Sequence, residues 1–358
     1  MILLFVFMVL FFFLTENKLS LMQKNLVFIF LLVFWWFLES FRWESGTDFY
    51  IYYSNFSNIK ESTIDTNRFE LGYNLLIIFF RDYMHLSFYT FNAVYYAIVF
   101  LLYYFSIKKA SPDSILFIFI FFCLSIGLMG STRQLMALSI MFFATVYFLE
   151  HKKLWFILFV FLASMFHRTI IVCLIYIIFT NNIRYKYWLY LIGFAVFAQL
   201  SGMNSLLSEK VILLLPKAFS ERYLGYLSIA HQNSISVIVF ISGICRRILP
   251  VVLFFLYRDV LNRSVKTNHL EFILNVLFFS LFAYIILSFD FTFIISRISI
   301  YFIIFEVFFY SILITIFVKE KKYTYVSALF ILFFILAYKG IINYPELFLP
   351  YKTIFFTF

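Results

Sequence analysis

Three side chains between Gly130 and Thr169 have types and spacings suited to chemistry on an anion. Arg133 follows the turn Gly130-Ser131-Thr132 at the start of an apolar segment, with Gln134 beside it. A helix N-terminus presents unpaired N–H groups that favour an anion, and the planar guanidinium fork grips phosphate oxygens in pairs. His167 and Arg168 interrupt an apolar run from 154 to 179. One basic turn, His151-Lys152-Lys153, separates the two places. If that turn faces the cytoplasm, Arg133 and the His167-Arg168 pair meet at the opposite membrane face and present cations to one site.

Further basic groups sit inside apolar segments. Arg297, within Ser-Phe-Asp-Phe-Thr-Phe-Ile-Ile-Ser-Arg, falls where one span turns back into the next, and Arg246-Arg247 lies near the middle of 235–257. An arginine at a helix centre costs about 2.5–3.5 kcal/mol to insert, so each should face a polar cavity or a partner. Several arginines at an outer face suggest a pocket for a phosphate-bearing lipid. Arg133 and Arg297 can also be read as helix-end snorkels, and Arg246-Arg247 as structural groups paired with Asp290 or Glu306. His167 alone would read as a packed histidine; beside Arg168 in an apolar run it reads as part of a site. His85, His151, His231 and His269 read as interface or loop residues.

Two carboxylates stand out. Asp48 begins a tyrosine-rich amphipathic stretch with Tyr50, Tyr52 and Tyr53, and Glu70 opens the next helix at Glu-Leu-Gly-Tyr. Either can take a proton from a sugar hydroxyl as a general base. Each can equally cap its helix or pair with a nearby arginine. No His-Glu-x-x-His, phosphate-binding Gly-Lys-Ser/Thr loop, Gly-x-Gly-x-x-Gly or Asp-x-Asp pattern occurs, so neither a metal nor a soluble-nucleotide cofactor has support here.

The elements that must position these groups are transmembrane helices. The chain has 358 residues, of which 64% are hydrophobic, 24% aromatic and only 13% charged, more apolar surface than a soluble domain can cover. The fold class is all-α, one polytopic membrane domain over 1–358. Met1–Leu14 lacks a basic leader and a small-residue cleavage site, so it reads as a short first span. Cys123, Cys173 and Cys245 lie inside apolar segments and read as packing residues. The net charge of +10 excludes little. No basic domain is present to hold nucleic acid, and loop charge in such a chain reports topology.

Six short basic turns mark the cytoplasmic side: Lys18/Lys24, Lys108/Lys109, Lys152/Lys153, Arg184/Lys186, Arg258/Arg263/Lys266 and Lys319/Lys321/Lys322. Placing all six inside requires about 12 spans, near 1–14, 26–42, 86–107, 115–131, 134–150, 154–166, 169–183, 188–206, 235–257, 270–288, 298–318 and 324–342. The run 154–179 is either one tilted span or two short ones, and parity favours two. Two loops then face outward, 43–85 and 207–234. The first is rich in acids, and its part 71–85 is too short to cross and suits an interfacial helix. The second holds Lys210, Lys217, Arg222 and His231.

Six pieces in order, Gly-Thr-Asp-Phe-Tyr-Ile-Tyr-Tyr (46–53), Phe-Glu-Leu-Gly-Tyr-Asn-Leu-Leu (69–76), Ser-Thr-Arg-Gln-Leu-Met-Ala-Leu-Ser-Ile (131–140), Met-Phe-His-Arg-Thr-Ile-Ile-Val (165–172), Arg297 in Ile-Ser-Arg-Ile-Ser-Ile-Tyr-Phe, and Leu-Pro-Tyr-Lys (349–352), resemble the EpsG-type family of bacterial polysaccharide polymerases. These are relatives in role of the Wzy O-antigen polymerases. His167-Arg168-Thr169 departs from the family's usual residues after the histidine but keeps the basic character. The resemblance implies a membrane glycosyltransferase of GT-C-like architecture in the bacterial inner membrane, working at its outer face. Its substrate would be an undecaprenyl-pyrophosphate-linked oligosaccharide, with membrane lipid around it and a chain-length regulator as a further candidate partner. Arg133, Arg168 and Arg297 would then hold the pyrophosphate, with Gln134, Arg246 and Arg247 as further contacts. His167 would orient or protonate it, Asp48 or Glu70 would activate the acceptor, and Tyr50, Tyr52 and Tyr53 would stack on sugars. A flippase for the same lipid-linked sugar is the second reading, and a ligase sharing the donor pocket the third.

Overall fold

The computed structural model describes residues 2–15, 18–46, 48–64, 69–111, 113–150, 152–180, 183–203, 237–264, 267–288, 292–342 and 345–355. Loop 207–234 with Lys210, Lys217, Arg222 and His231 lies outside the described residues, as do Asp65, Arg68, His151, Lys266 and Asp290. The described chain is helical, and its one β-type pairing is an isolated antiparallel bridge between Arg42 and Thr353. Among the described residues seven helices are long and apolar enough to cross a membrane: 21–40, 88–110, 132–149, 237–256, 269–287, 297–319 and 323–342. This is a polytopic helical membrane protein. Shorter apolar helices at 5–15, 114–128, 153–164 and 168–179 coincide with four more of the twelve expected spans but fall short of a full crossing length.

By packing the chain divides into two compact units, residues 1–174 with 310–358, and residues 175–309. The first contains α1 (Ile2–Thr15), α2 (Leu21–Ser40), α3 (Phe49–Asn58), α4 (Leu71–Ile78), α5 (Phe88–Ala110), α6 (Ser114–Ser125), α7 (Thr132–Leu149) and α8 (Lys153–Ser164). The second contains α9 (Tyr176–Phe179), α10 (Tyr185–Leu200), α11 (Val237–Leu256), α12 (Arg258–Ser264) and α13 (Thr267–Leu287). Helix α14 (Thr292–Lys319) runs from the second unit into the first, which ends with α15 (Tyr323–Ile342) and α16 (Pro345–Phe348).

In the first unit α7 packs between α5 and α8, and α2 packs on α5 and α6. Helix α7 buries residues on every side, from Thr132 and Gln134 to Phe148. Its starting point is therefore set by the surrounding helices. Rings hold those helices together: Trp35 of α2 meets Phe100 of α5 and Phe121 and Phe122 of α6, at centroid separations of 5.1–5.5 Å. The run 154–179 is not one continuous helix. Helix α8 ends at Ser164, a turn covers Met165–Phe166, and a 3-10 segment (Arg168–Ile175) leads into α9.

The expected interfacial piece 71–85 is α4 followed by a π-helical turn at Phe79–Tyr83. Arg81 in that turn pairs with Asp82 at 2.6 Å and donates to the carbonyls of Phe56 and Ile59. A cation on the last carbonyls of α3 satisfies acceptors that the helix leaves open and complements its dipole.

Candidate functional site

The site is built on the turn before α7. Arg42, just past the end of α2, is buried and donates through Nη2 to the carbonyl of Gly130 at 3.0 Å and to Thr132 Oγ1 at 3.2 Å. Its Nη1 donates to the carbonyl of Ser45 at 3.0 Å. Glu39 accepts from the Gly130 N–H at 3.1 Å, and Tyr96 of α5 meets Thr132 Oγ1 at 2.9 Å. The end of α2 thus sets the position from which Arg133 projects.

Arg133 ion-pairs through Nη1 with Glu70 Oε2, and the side chains remain 15% and 11% exposed. Its guanidinium carbon lies 4.1 Å from the ring centroid of Phe69 and 5.8 Å from that of Tyr52. Its Nε is buried without a hydrogen-bond partner among the described residues. The other oxygen of Glu70 accepts from the backbone N–H of Arg168 at 3.4 Å. A second tie runs alongside: the N–H of Gly72 donates to the carbonyl of Met165 at 2.8 Å. A Cβ on Gly72 would sit 2.8 Å from that same oxygen, so the residue must be glycine for the backbones to approach this closely. One carboxylate and one glycine therefore bring the start of α4, the start of α7 and the break at 165–168 to one place.

His167 is buried at that break, with Nδ1 2.8 Å from Thr169 Oγ1. The side chain of Arg168 is exposed. Gln134 is buried one residue past Arg133. Of the two readings open for Glu70, the geometry is that of an ion-pair partner with both oxygens engaged. Asp48 differs. It is exposed, stands at φ +60 immediately before α3, and makes no side-chain cap to that helix. Tyr50 and Tyr53 are exposed, whereas Tyr52 is buried between Phe69 and Tyr73 and has no face open to a sugar. Assigning all three tyrosines to sugar stacking fails at Tyr52, because consecutive positions on a helix point to different sides.

The C-terminal Leu-Pro-Tyr-Lys piece is part of the same unit. The N–H of Trp43 donates to the carbonyl of Lys352 at 2.9 Å, that of Ile354 to the carbonyl of Phe41 at 2.9 Å, and that of Gly46 to the carbonyl of Leu347 at 2.6 Å. Tyr50 donates to Glu44 Oε1 at 2.6 Å, and Lys352 Nζ approaches Glu44 Oε2 at 3.4 Å. The Tyr50 hydroxyl, with Lys352 behind it, holds the Glu44 carboxyl below its ordinary range. Sequence alone singles out neither Glu39 nor Arg42, and Glu44 only as one acid of the outward loop. Their only signal was three charges crowded around the end of an apolar segment at Glu39-Ser-Phe-Arg-Trp-Glu44.

The second unit carries its own buried charges. Arg246 pairs with Glu306 at 3.2 Å, one of the two structural partners considered for it. Arg247 is buried, lies 3.9 Å over the ring of Tyr284 and donates to the carbonyl of Gly243 at 3.1 Å. Both contacts satisfy cations inside an apolar helix. Arg297 is half-buried near the start of α14. Among the described residues no group of three His, Cys, Asp or Glu side chains converges closely enough to share a metal ion.

The described residues define a polytopic helical membrane protein with arginines held at helix ends and breaks. The model of the EpsG family matches residues 25–353, nearly the whole chain, and the protein is a member of that family of Wzy-like polysaccharide polymerases. No curated relative and no solved structure matches the chain.

Proposed function

We propose that the protein extends a bacterial surface polysaccharide by transferring a growing glycan from an undecaprenyl-pyrophosphate carrier onto a lipid-linked repeat unit. The observation that carries this reading is the Arg133–Glu70 pair tied to the backbone of Arg168, whose side chain is exposed, so that two arginines stand with one carboxylate at the start of a span. The family supplies the reaction class. Breaking the bond between the donor's anomeric carbon and its pyrophosphate oxygen leaves a pyrophosphate on the carrier lipid. Positive charge placed where that charge develops is the main requirement of such a step.

In this account Arg133 contacts the pyrophosphate, oriented by Glu70 and braced by Phe69. Arg168, whose backbone N–H reaches the same carboxylate and whose side chain is exposed, supplies the second cation. His167, held by Thr169, orients or protonates the leaving group, and Gln134 supports the same helix end. The acceptor hydroxyl forms the new bond to the anomeric carbon and gives its proton to a carboxylate. Asp48 suits that role, since Glu70 is committed to Arg133. Arg297 is assigned on its place in the sequence. The site faces the outer side of the inner membrane, with twelve spans and the GT-C-like arrangement belonging to the same proposal.

The test is the surface polysaccharide of a strain lacking this protein, resolved as a gel ladder. Collapse to the acceptor plus a single repeat means that export and attachment survive while elongation is lost, which supports the polymerase. Loss of every glycosylated band would point to a flippase or a ligase and overturn it.

A further inference from the structure

A groove of about 460 Å³ runs along one side of α3, lined by Tyr50, Ser54, Asn55, Asn58 and Phe69 among others. Tyr50, Ser54 and Asn58 recur every four residues along one side of the helix, with Asn55 next to Ser54 and three before Asn58. Hydroxyls and carboxamides stand beside two aromatic rings and the side chains of Ile51 and Ile59, and among the described residues no charged side chain lines the groove. Polar groups interleaved with rings and apolar surface suit a neutral polyhydroxyl ligand.

The groove is held in shape. Asn74, fully buried on α4, accepts from Asn55 Nδ2 at 3.1 Å and donates to the carbonyl of Phe69 at 3.1 Å. It ties the wall formed by α3 to the wall formed by Phe69. Asn58 Nδ2 is spent on the Ser54 carbonyl at 2.9 Å, which aims the amide oxygen of Asn58 away from its own helix. Arg81 fixes the far end by binding the carbonyls of Phe56 and Ile59. Phe69 is common to both places: its ring lines the groove and also carries the Arg133 guanidinium at 4.1 Å. Asp48 stands at the α3 end nearest Tyr50.

We propose that this groove binds the acceptor glycan, holding one or more neutral sugar residues of the incoming repeat unit beside the site around Arg133. The inference rests on the polymerase reading and adds to it the surface that selects the acceptor. Asn74 acts through Asn55 and Phe69 and is a positioning residue.

The experiment uses the full-length protein in nanodiscs, with oligosaccharides of one to three repeat units released from the host's own surface polysaccharide as the probe. Ser54 and Asn58 are exposed, so Ser54→Trp fills the groove and Asn58→Leu removes its amide without disturbing the core. Each is expected to weaken binding about tenfold or more, equivalent to losing one or two hydrogen bonds, and to shorten the ladder. Arg133→Ala is expected to bind the free oligosaccharide as wild type does while losing chain growth. Wild-type binding and full ladders in both groove variants would overturn the groove while leaving the donor site standing. Failure of the wild-type protein to bind any of these oligosaccharides would also overturn it. A full ladder from Arg133→Ala, with glycan binding lost only in the groove variants, would instead remove the donor-site reading and keep the groove.

Discussion

The coupling between Glu70 and Arg133 can be measured as an energy. The pair is largely enclosed, with 15% and 11% exposure, and the guanidinium lies on Phe69 and close to Tyr52. Removing one member of a buried pair costs about 3–5 kcal/mol, because the other charge is left without compensation. The residual exposure puts Glu70→Ala near the lower end, about 3 kcal/mol, and Arg133→Ala similarly. The double variant leaves no stranded charge. It should therefore be less destabilised than the sum of the singles by about 2 kcal/mol. Chemical unfolding in mixed micelles, followed by tryptophan fluorescence, gives the four free energies of the cycle. Strict additivity, or a cost below about 1 kcal/mol for Glu70→Ala, would refute the argument that this carboxylate holds Arg133 in place.

Other outcomes follow from the same geometry. Gly72→Ala drives a methyl against the Met165 carbonyl and should cost about 1–3 kcal/mol, with chain growth reduced because Glu70 loses its register on Arg168; unfolding and the gel ladder check the two parts. Arg42→Met leaves the carbonyl of Ser45 buried without the Arg42 donor, at about 1–3 kcal/mol, takes one of several donors from that of Gly130, and should abolish chain growth although it lies outside the proposed site. Glu44 has a folded pKa depressed by Tyr50, so its contribution is present above the ordinary carboxylate range and lost as pH falls through the lower folded value. The stability difference between wild type and Glu44→Gln should accordingly be present at pH 7 and shrink as pH falls below the ordinary carboxylate range, measured by unfolding across that range.

How much of this was legible beforehand depends on what each feature leaves in a sequence. Apolar length is written in composition, so α2, α5, α7, α11, α13 and α15 fall where hydropathy put them, within a few residues at each end. The break inside 154–179 was signalled by His167-Arg168, since two polar side chains in an apolar run are costly unless the chain turns there. Span number was less legible: 14-residue and 12-residue helices such as α1 and α8 are apolar enough for a membrane but shorter than its core.

Partners were harder still. That Glu70 meets Arg133, 63 positions away, depends on packing that no local pattern records, and pairing and general-base readings were equally open. The tail's attachment to residues 41–46 runs largely through backbone groups, which carry no residue-specific signal. Tyr50, Tyr52 and Tyr53 look alike as letters, and only their helical phase against Phe69 and Tyr73 separates the buried ring from the exposed ones. Phe69 and Asn74 passed unnoticed because their importance lies in what they touch.

The central claim is that Arg133 assists departure of a lipid pyrophosphate, and reconstitution tests it most directly. Purified protein in liposomes is given the host's undecaprenyl-pyrophosphate-linked repeat unit, and both glycan length and released undecaprenyl pyrophosphate are followed. The wild-type protein should build a ladder and release one carrier lipid for each bond formed. Arg133→Ala, at equal folded protein, should lose about 100-fold or more of both, the usual cost of removing a group that stabilises developing negative charge. Wild-type rates from Arg133→Ala, or a ladder that grows without carrier release, would contradict the account.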